Sequence, residues 1–249
     1  MSTFCIQDSV AFVTGTNKPN GIGRAIVDAL LSNGASKVYA TARRVSQLDD
    51  LVAQNDGKVV AVELDVTDLE AIEKLANLCP DVTLLVNNAG FYAVTSSIGD
   101  IDAIKAEMAI NYFAPLAIGK SFSSVFAGIT SNEPDVKPTA LVNINSIASF
   151  VNFPAAGTYS ASKAAAHSLT QAQRRDLKNT LVIGVYPGPI DTDMIDGVDM
   201  EKSPPSAVAS AVVDALIKGT EDVFPDPAAV NLHEGWKQDA KALELQMAA

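Results

Sequence analysis

Short apolar segments rich in β-branched residues alternate with longer segments of helical period along most of the chain. The apolar segments show no polar–apolar alternation, which is typical of strands buried on both faces. The longer segments repeat apolar residues with the period of a helix that packs on one side. The pattern predicts strands at 10–14, 37–42, 59–64, 82–86, 140–145 and 181–186, and a weaker strand at 222–224. It predicts helices at 22–32, 69–78, 101–129, 158–177 and 206–218.

Repetition of strand, helix and strand requires right-handed crossovers, which place helices on both faces of a parallel sheet. The sequence therefore predicts an α/β fold, a Rossmann-type doubly wound parallel sheet of about seven strands. The 249 residues suit one domain over 1–249, since α/β units of this size are common. A polar loop is expected at 130–138. The tail from about residue 228, with a helical stretch from Ala240, is expected to contact a partner subunit.

Composition narrows the possible functions. Apolar residues make up 48% of the chain, which supplies a core, and the net charge of −11 argues against nucleic-acid binding. Two cysteines and two histidines, without metal-ligand spacing, predict no metal site and suit a reducing cytoplasm. No signal peptide or bilayer-length apolar run is present, so we expect a cytoplasmic protein without membrane contact.

A glycine-rich turn at 14–24 follows the first predicted strand and leads at once into a helical pattern. Gly15 permits a tight bend, Gly21 lets a pyrophosphate approach the backbone, and Gly23 allows close helix–strand packing. The helix N-terminus attracts phosphate, although an ordinary turn is the alternative. No Gly-Lys-Ser/Thr sequence closes the turn, which excludes an ATP loop. The predicted dinucleotide contacts here are Gly15, Asn17, Lys18, Gly21, Ile22 and Gly23.

The end of the second strand selects between NAD and NADP. An acidic residue there would hold the ribose hydroxyls of NAD, but this chain places Arg43 and Arg44 after Ala42. A guanidinium matches a phosphate in bidentate fashion, and Lys18 can add a second charge. We therefore predict NADP as cofactor, with Arg43 as the first phosphate contact. A solvated loop whose charges face water is the alternative.

Tyr159 and Lys163 lie four residues apart near the start of a predicted helix, which puts both on one face. The pKa of a free tyrosine is about 10. An ammonium about 4 Å away, at an effective dielectric constant near 20, would lower that pKa by roughly 3 units. We therefore expect Tyr159 to act as a general acid or base near neutral pH.

With this glycine turn and this pair of Tyr159 and Lys163, the sequence resembles the short-chain dehydrogenase/reductase family, in its compact carbonyl-reductase-like form. The resemblance extends from the glycine turn to about Pro227. The turn has five residues between its first two glycines, where the family usually has three, so we expect an expanded turn on that framework. The other matching motifs are Leu64-Asp65-Val66-Thr67-Asp68, Asn87-Asn88-Ala89-Gly90, Asn111, Ser146, Tyr159-x-x-x-Lys163 and Pro187-Gly188-Pro189-Ile190-x-Thr192.

The resemblance implies a role for each matching position. Tyr159 would pass a proton to the substrate carbonyl oxygen, and Ser146 would hydrogen-bond that oxygen. Lys163 would lower the pKa of Tyr159 and hold the nicotinamide ribose, while Asn111 would position a water that links Lys163 to solvent. The remaining cofactor contacts would be Asp65 and Val66 at the adenine, Asn87, Ala89 and Gly90 at the ribose, and Pro187, Gly188, Ile190 and Thr192 at the carboxamide.

We therefore expect an NADP-dependent oxidoreductase that reduces a ketone or aldehyde to an alcohol, reversibly, as a homodimer or homotetramer. A non-catalytic dinucleotide-binding regulatory or sensor protein is the alternative. An apolar substrate is expected, because apolar side chains lie in segments that should border the nicotinamide: Phe91, Tyr92, Phe150, Phe153, Met194 and Ile195.

Overall fold

The computed structural model describes residues 3–131 and 138–248, so most of the predicted loop at 130–138 lies outside the described residues. Seven strands form one sheet in the order β3-β2-β1-β4-β5-β6-β7, and every pairing between them is parallel. The predicted doubly wound α/β fold is confirmed. The strands are β1 (Val10–Val13), β2 (Lys37–Ala42), β3 (Val59–Glu63), β4 (Leu84–Asn87), β5 (Thr139–Ile144), β6 (Thr180–Val185) and β7 (Asp222–Val223).

The central strands bury apolar side chains on both faces, which explains why their sequences do not alternate. In β1, Ala11 and Val13 join one hydrophobic cluster while Phe12, between them, joins the other. Phe12 packs against Phe122 with ring centroids 5.1 Å apart. Successive strand residues point to opposite faces, so an unbroken apolar segment is what a two-sided core requires.

Helices cover both faces of the sheet. α1 and α8 contribute buried residues to the cluster on one face, and α6 contributes to the cluster on the other. In the described part of the chain, no helix has the length and apolar character that a bilayer span requires. The helices are α1 (Ile22–Ser32), α2 (Asp49–Ala53), α3 (Leu69–Glu73), α4 (Leu75–Leu78), α5 (Ile101–Met108), α6 (Ala114–Ser131), α7 (Gly157–Asp176), α8 (Pro205–Lys218) and α9 (Pro227–Met247).

Two predicted helices are interrupted. The helix predicted at 69–78 divides at Lys74 into α3 and α4. The helix predicted at 101–129 contains a π-helical turn at Ala109–Phe113, which separates α5 from α6. Such turns leave the regular main-chain hydrogen-bond ladder and are frequent at functional sites.

The C-terminal helix begins earlier than predicted, at Pro227 rather than Ala240. Asp226 starts it, because its side chain accepts a hydrogen bond from the Ala229 N–H and proline suits the first helical position. Leu232 and Leu243 of α9 pack into a cluster with Ile147 and Val151. Part of the apolar surface of the tail is thus buried against its own chain.

Asp226→Ala is predicted to lower the free energy of unfolding by about 2–4 kcal/mol. Asp226 is buried and accepts hydrogen bonds from both Ala229 N and Gly188 N, so the substitution removes a helix cap and leaves a second N–H unsatisfied. Urea unfolding measures the change. The control is Asp214→Ala, which removes an exposed pair with Lys218 and should cost under about 0.5 kcal/mol. Equal losses in the two variants would contradict the prediction.

Candidate active site

The order in which strands are added to the sheet reverses between β1 and β4, whose carboxyl ends lie side by side at the centre of the sheet. Asn88, just after β4, holds the two ends together. Its main-chain N–H donates to Thr14 Oγ1 at 2.9 Å, and its side-chain amide donates to Thr14 O at 2.8 Å and Gly15 O at 3.1 Å. In open α/β sheets this is the position at which ligands bind.

The glycine turn has no room for side chains at its critical positions. Gly15 has a φ of +70°, and a Cβ there would lie 2.9 Å from the Cα of Ala89. A Cβ on Gly23 would lie 2.5 Å from Gly15 O. Gly21 precedes α1, and no side chain caps that helix, so its N-terminal N–H groups face outward as a cradle for an anion. The predicted pyrophosphate contacts fit this geometry.

The ends of β2 and β3 lie beside the turn, because β2 pairs with β1 and with β3. Arg43 and Arg44 are exposed directly after β2. Hydrogen bonds from Thr67, with a smaller contribution from the charge of Arg43, lower the pKa of Asp65 after β3. Arg43 and Asp65, two of the predicted cofactor contacts, therefore lie within electrostatic reach of each other, with the half-buried Val66 next to Asp65.

Lys18 forms a contact that the sequence did not reveal. Its Nζ lies 2.8 Å from Asp193 Oδ2, and both side chains are more than half exposed. Asp193 directly follows Thr192, so this ion pair links the expanded glycine turn to the segment after β6. In the structure the charge of Lys18 is therefore shared with an acid, whereas the prediction placed it at the phosphate of a cofactor.

Ser146, Tyr159 and Lys163 come together at the carboxyl end of β5. Ser146 follows β5, and its hydroxyl is close enough to the Tyr159 phenol, near the start of α7, to lower the pKa of that phenol. Lys163 lies one turn further along α7, with Nζ 5.7 Å from the centroid of the Tyr159 ring. The ammonium donates a hydrogen bond of 2.9 Å to Ile144 O, the last residue of β5. The predicted triad is thus assembled on one strand end and one helix.

Burial moves the pKa values of both groups away from their ordinary values. It raises the pKa of Tyr159 to about 12, against a smaller lowering by the hydrogen bond from Ser146. It lowers the pKa of Lys163 to about 8. The expected lowering of the Tyr159 pKa by Lys163 is not found, because the ammonium is bound to Ile144 O and desolvation of the phenol dominates.

Asn111 lies in the π-helical turn. Its carboxamide accepts a hydrogen bond from Phe91 N at 2.9 Å and donates to Phe91 O and to Ser162 Oγ. These bonds use both of its N–H groups, so a water molecule here would be held by oxygen atoms of Asn111 or by its neighbours. A cavity of about 10 Å³, roughly the space of one water molecule, lies here and is lined by Asn87, Ala89, Asn111, Pro115, Asn143, Ile144, Asn145, Lys163, Ala166 and Leu169.

Asn87 lines the same cavity, and Gly90 lies next to two of the residues that line it. The Asn87 side chain donates to Asn143 Oδ1 at 2.9 Å, so it points into the buried polar network of the sheet. At Gly90 a Cβ would lie 3.6 Å from Asn111 Oδ1 and 3.8 Å from Lys163 Nζ. Gly90 therefore brings the main chain close to Lys163, in keeping with its predicted place beside the ribose.

The predicted carboxamide segment is held by an acid that the sequence analysis missed. Gly188 N donates to Asp226 Oδ2 at 2.8 Å, and a Cβ on Gly188 would lie 2.6 Å from Asp226 Oδ1. Pro187 O accepts from Ile147 N, and Thr192 Oγ1 lies 3.3 Å from Ile190 O. The Asp-Pro sequence at 226–227, a helix-start signal, was the clue available.

The predicted apolar wall is only partly assembled. Tyr92 packs against Tyr159, with ring centroids 5.1 Å apart, and Phe91 and Met194 are exposed. Phe150 is placed differently: its ring contacts an aromatic cluster around α9 and packs with Trp236 at 5.2 Å. That cluster comprises Phe150, His167, Tyr186, Phe224, His233 and Trp236.

Lys163→Met is predicted to stabilise the fold most strongly at neutral pH. The unfolded chain keeps the lysine proton until about pH 10.5, whereas the folded chain releases it near pH 8. Lys163 therefore destabilises the native state fully below about pH 8, and this penalty disappears as pH rises to about 10.5. The advantage of the variant should shrink by about 3 kcal/mol across that window.

Urea unfolding of both proteins at about pH 7 and about pH 10 measures this change. The difference between them isolates Lys163 from the other groups that titrate in the same range. A difference that stays constant with pH would contradict the lowered pKa.

Comparisons with known proteins agree with this geometry. A family model described as short chain dehydrogenase matches residues 9–203. An uncharacterized oxidoreductase from Staphylococcus saprophyticus is 31% identical over 245 residues, covering 92% of this chain and 96% of the relative.

Solved structures extend the likeness to the whole fold. A short chain dehydrogenase from Burkholderia cenocepacia, in complex with NADP, has a TM-score of 0.89 at 35% identity and covers 98% of this chain and 99% of its own. A short chain dehydrogenase/reductase from Burkholderia phymatum, in complex with NAD, has a TM-score of 0.83 at 20% identity, with 96% of each chain covered. At that identity the second likeness concerns the fold alone.

Proposed function

This chain belongs to the short-chain dehydrogenase family, and on that premise we propose that it is an NADP-dependent oxidoreductase that reduces a ketone or aldehyde to an alcohol, reversibly. The observation that carries the proposal is the placement of the Ser146 and Tyr159 hydroxyls beside Lys163 at the carboxyl end of β5. Two adjacent hydroxyls can hold a carbonyl oxygen, and one of them can supply its proton.

Tyr159 would give its phenolic proton to the carbonyl oxygen while Ser146 donates a hydrogen bond to the same oxygen. The raised pKa of Tyr159 supports the acid role, since it keeps the phenol protonated at neutral pH. Lys163, with its pKa lowered to about 8, can return a proton to the phenolate. A water molecule in the cavity beside Asn111 and Lys163 would supply Lys163 with the proton that it returns.

The residues at the carboxyl edge of the sheet fit a dinucleotide. Bound NADPH would supply the hydride. The glycine turn and α1 N-terminus would hold the pyrophosphate, Asp65 and Val66 the adenine, and Asn87, Ala89, Gly90 and Lys163 the nicotinamide ribose. The segment from Pro187 and Gly188 to Ile190 and Thr192 would hold the carboxamide. In these contacts the chain would orient the cofactor.

The preference for NADP rests on Arg43 and Arg44. They are exposed at the end of β2, where an acid would select NAD. The Burkholderia cenocepacia relative is in complex with NADP, which supports this choice, although the more distant Burkholderia phymatum protein is in complex with NAD. Lys18 ranks below Arg43, because Asp193 competes for its charge.

We further propose that residues 1–249 act as one domain, in the cytoplasm, on an apolar carbonyl or alcohol substrate. Both cysteines are free thiols, Cys5 exposed and Cys79 buried, which suits a reducing compartment. A homodimer or homotetramer is supported by Phe113 and Leu116, which leave apolar surface exposed where the π-helical turn meets α6.

Tyr159→Phe is predicted to lower kcat by about 10²–10⁴-fold, because the variant lacks the phenolic proton. The assay is NADPH absorbance at 340 nm with a panel of apolar ketones and aldehydes, beside NADPH binding by fluorescence. Binding should survive. Tyr39→Phe is the control, because its hydroxyl bonds Lys37 and Asp81 away from the site.

Turnover that survives in Tyr159→Phe would exclude the acid role. A wild-type protein that binds NADPH but turns over no carbonyl would favour the sensor alternative.

Arg43→Ala is predicted to raise the KM for NADPH by about tenfold or more and to leave the KM for NADH nearly unchanged. The guanidinium would contact only the 2′-phosphate, and a charge-assisted hydrogen bond contributes about 1.5–3 kcal/mol. Arg175→Ala is the control, since Arg175 is exposed and paired with Asp176 on α7. An equal rise for both cofactors would contradict phosphate recognition by Arg43.

A further inference from the structure

Glu107 is a fully buried acid on α5 for which the proposed reaction has no use yet. Its Oε1 accepts a hydrogen bond of 2.8 Å from Ala93 N. Its Oε2 is buried and has no hydrogen-bond partner among the described residues. Burial of a carboxylate oxygen without a hydrogen-bond partner costs folding free energy. Its presence beside a candidate active site therefore suggests a functional role.

Glu107 and Asn111 lie one helical turn apart and hold the same short segment. Asn111 bonds both Phe91 N and Phe91 O, and Glu107 bonds Ala93 N two residues later. Between these two fixed points lies Tyr92, whose ring packs against Tyr159 at 5.1 Å. The two side chains thus form a clamp that sets how Tyr92 meets Tyr159.

The charge of Glu107 also reaches the two tyrosines. Burial is the larger cause of the raised pKa of Tyr92 and of Tyr159, and the charge of Glu107 raises both further. Among the described residues, the groups that contact Tyr159 or act on its pKa are Lys163 on its own helix, Ser146 after β5, Tyr92 after β4 and Glu107 on α5. Glu107 is the one acid in that set.

We propose that Glu107 is a positioning residue for Tyr159, whose carboxylate holds the segment from Phe91 to Ala93, and with it Tyr92, in place against the phenol. In that position its negative charge also favours the protonated phenol. The inference rests on the proposed function, in which a protonated phenol is the form that reduces a carbonyl. Glu107 then helps the phenol keep its proton, and Lys163 is the group that can return the proton after it has been transferred. The form of Tyr159 that this arrangement favours is the one that reduces a carbonyl.

The deciding variant is Glu107→Gln, which keeps the length of the side chain and an oxygen for Ala93 N while removing the charge. Loss of that negative charge is expected to lower the pKa of Tyr159. The probe is the full chain labelled with ¹³C at the tyrosine ζ carbon and titrated by NMR without cofactor. Tyr159→Phe assigns the signal.

A second readout is the pH profile of kcat for alcohol oxidation with NADP. Oxidation needs the phenolate, so its rising limb should move to lower pH by the same amount as the NMR titration. Loss of packing alone would lower kcat without moving the limb. Asp102→Asn, on the exposed side of the same helix, should change neither readout.

An unchanged Tyr159 titration in folded Glu107→Gln would overturn the proposal. If that variant does not fold, Glu107→Leu replaces it, with circular dichroism to confirm folding, and the same downward shift is required. Should the NMR titration move while the wild-type protein turns over no carbonyl, the electrostatic coupling stands and the proposed function fails. A shifted titration together with a shifted limb supports both.

Discussion

The hydrogen bonds between Thr14 and Asn88 hold together the two strand ends around which the candidate site is built. Thr14 Oγ1 accepts from the N–H groups of Asn88 and Ala89, and the Asn88 amide returns bonds to Thr14 O and Gly15 O. A Cβ added to Gly23 would lie only 2.5 Å from the nitrogen of the same amide. The glycine turn, the start of α1 and the end of β4 are therefore one packed unit, and the open N-terminus of α1 depends on it.

Desolvation governs the pKa values of Tyr159 and Lys163, which lie on α7. Lys163 is buried beneath Gly90 and bound to Ile144 O, and Tyr159 is covered by Tyr92. Burial favours the neutral form of each group, so it raises the pKa of the phenol and lowers that of the amine. The two pKa values are nearly equal in the free side chains and move apart in the fold, to about 12 for the phenol and about 8 for the amine. Transfer of a proton from the Lys163 ammonium to the Tyr159 phenolate is therefore favoured.

The order of elements and the shared helix face of Tyr159 and Lys163 could be predicted because they depend on local signals. Strands buried on both faces have unbroken apolar segments, and the Tyr159–Lys163 spacing fixes a shared helix face. Contacts distant in sequence could not be predicted. The pairs Lys18–Asp193 and Gly188–Asp226, and the direction of the Tyr159 pKa shift, depend on which side chains meet in space.

The π-helical turn in the long helix explains the contacts that Asn111 makes. The π-helical turn interrupts the ladder between α5 and α6, so Asn111 can bond Phe91 and Ser162 together. Glu107 lies four residues before Asn111, and its side chain accepts a hydrogen bond from Ala93 N. The helical segment from α5 to α6 thus places Asn111 at the cavity beside Lys163, and Glu107 at the segment that packs on Tyr159. A change in the pitch of this segment would move both residues. The site is therefore positioned by helix geometry as much as by the motif that first indicated it.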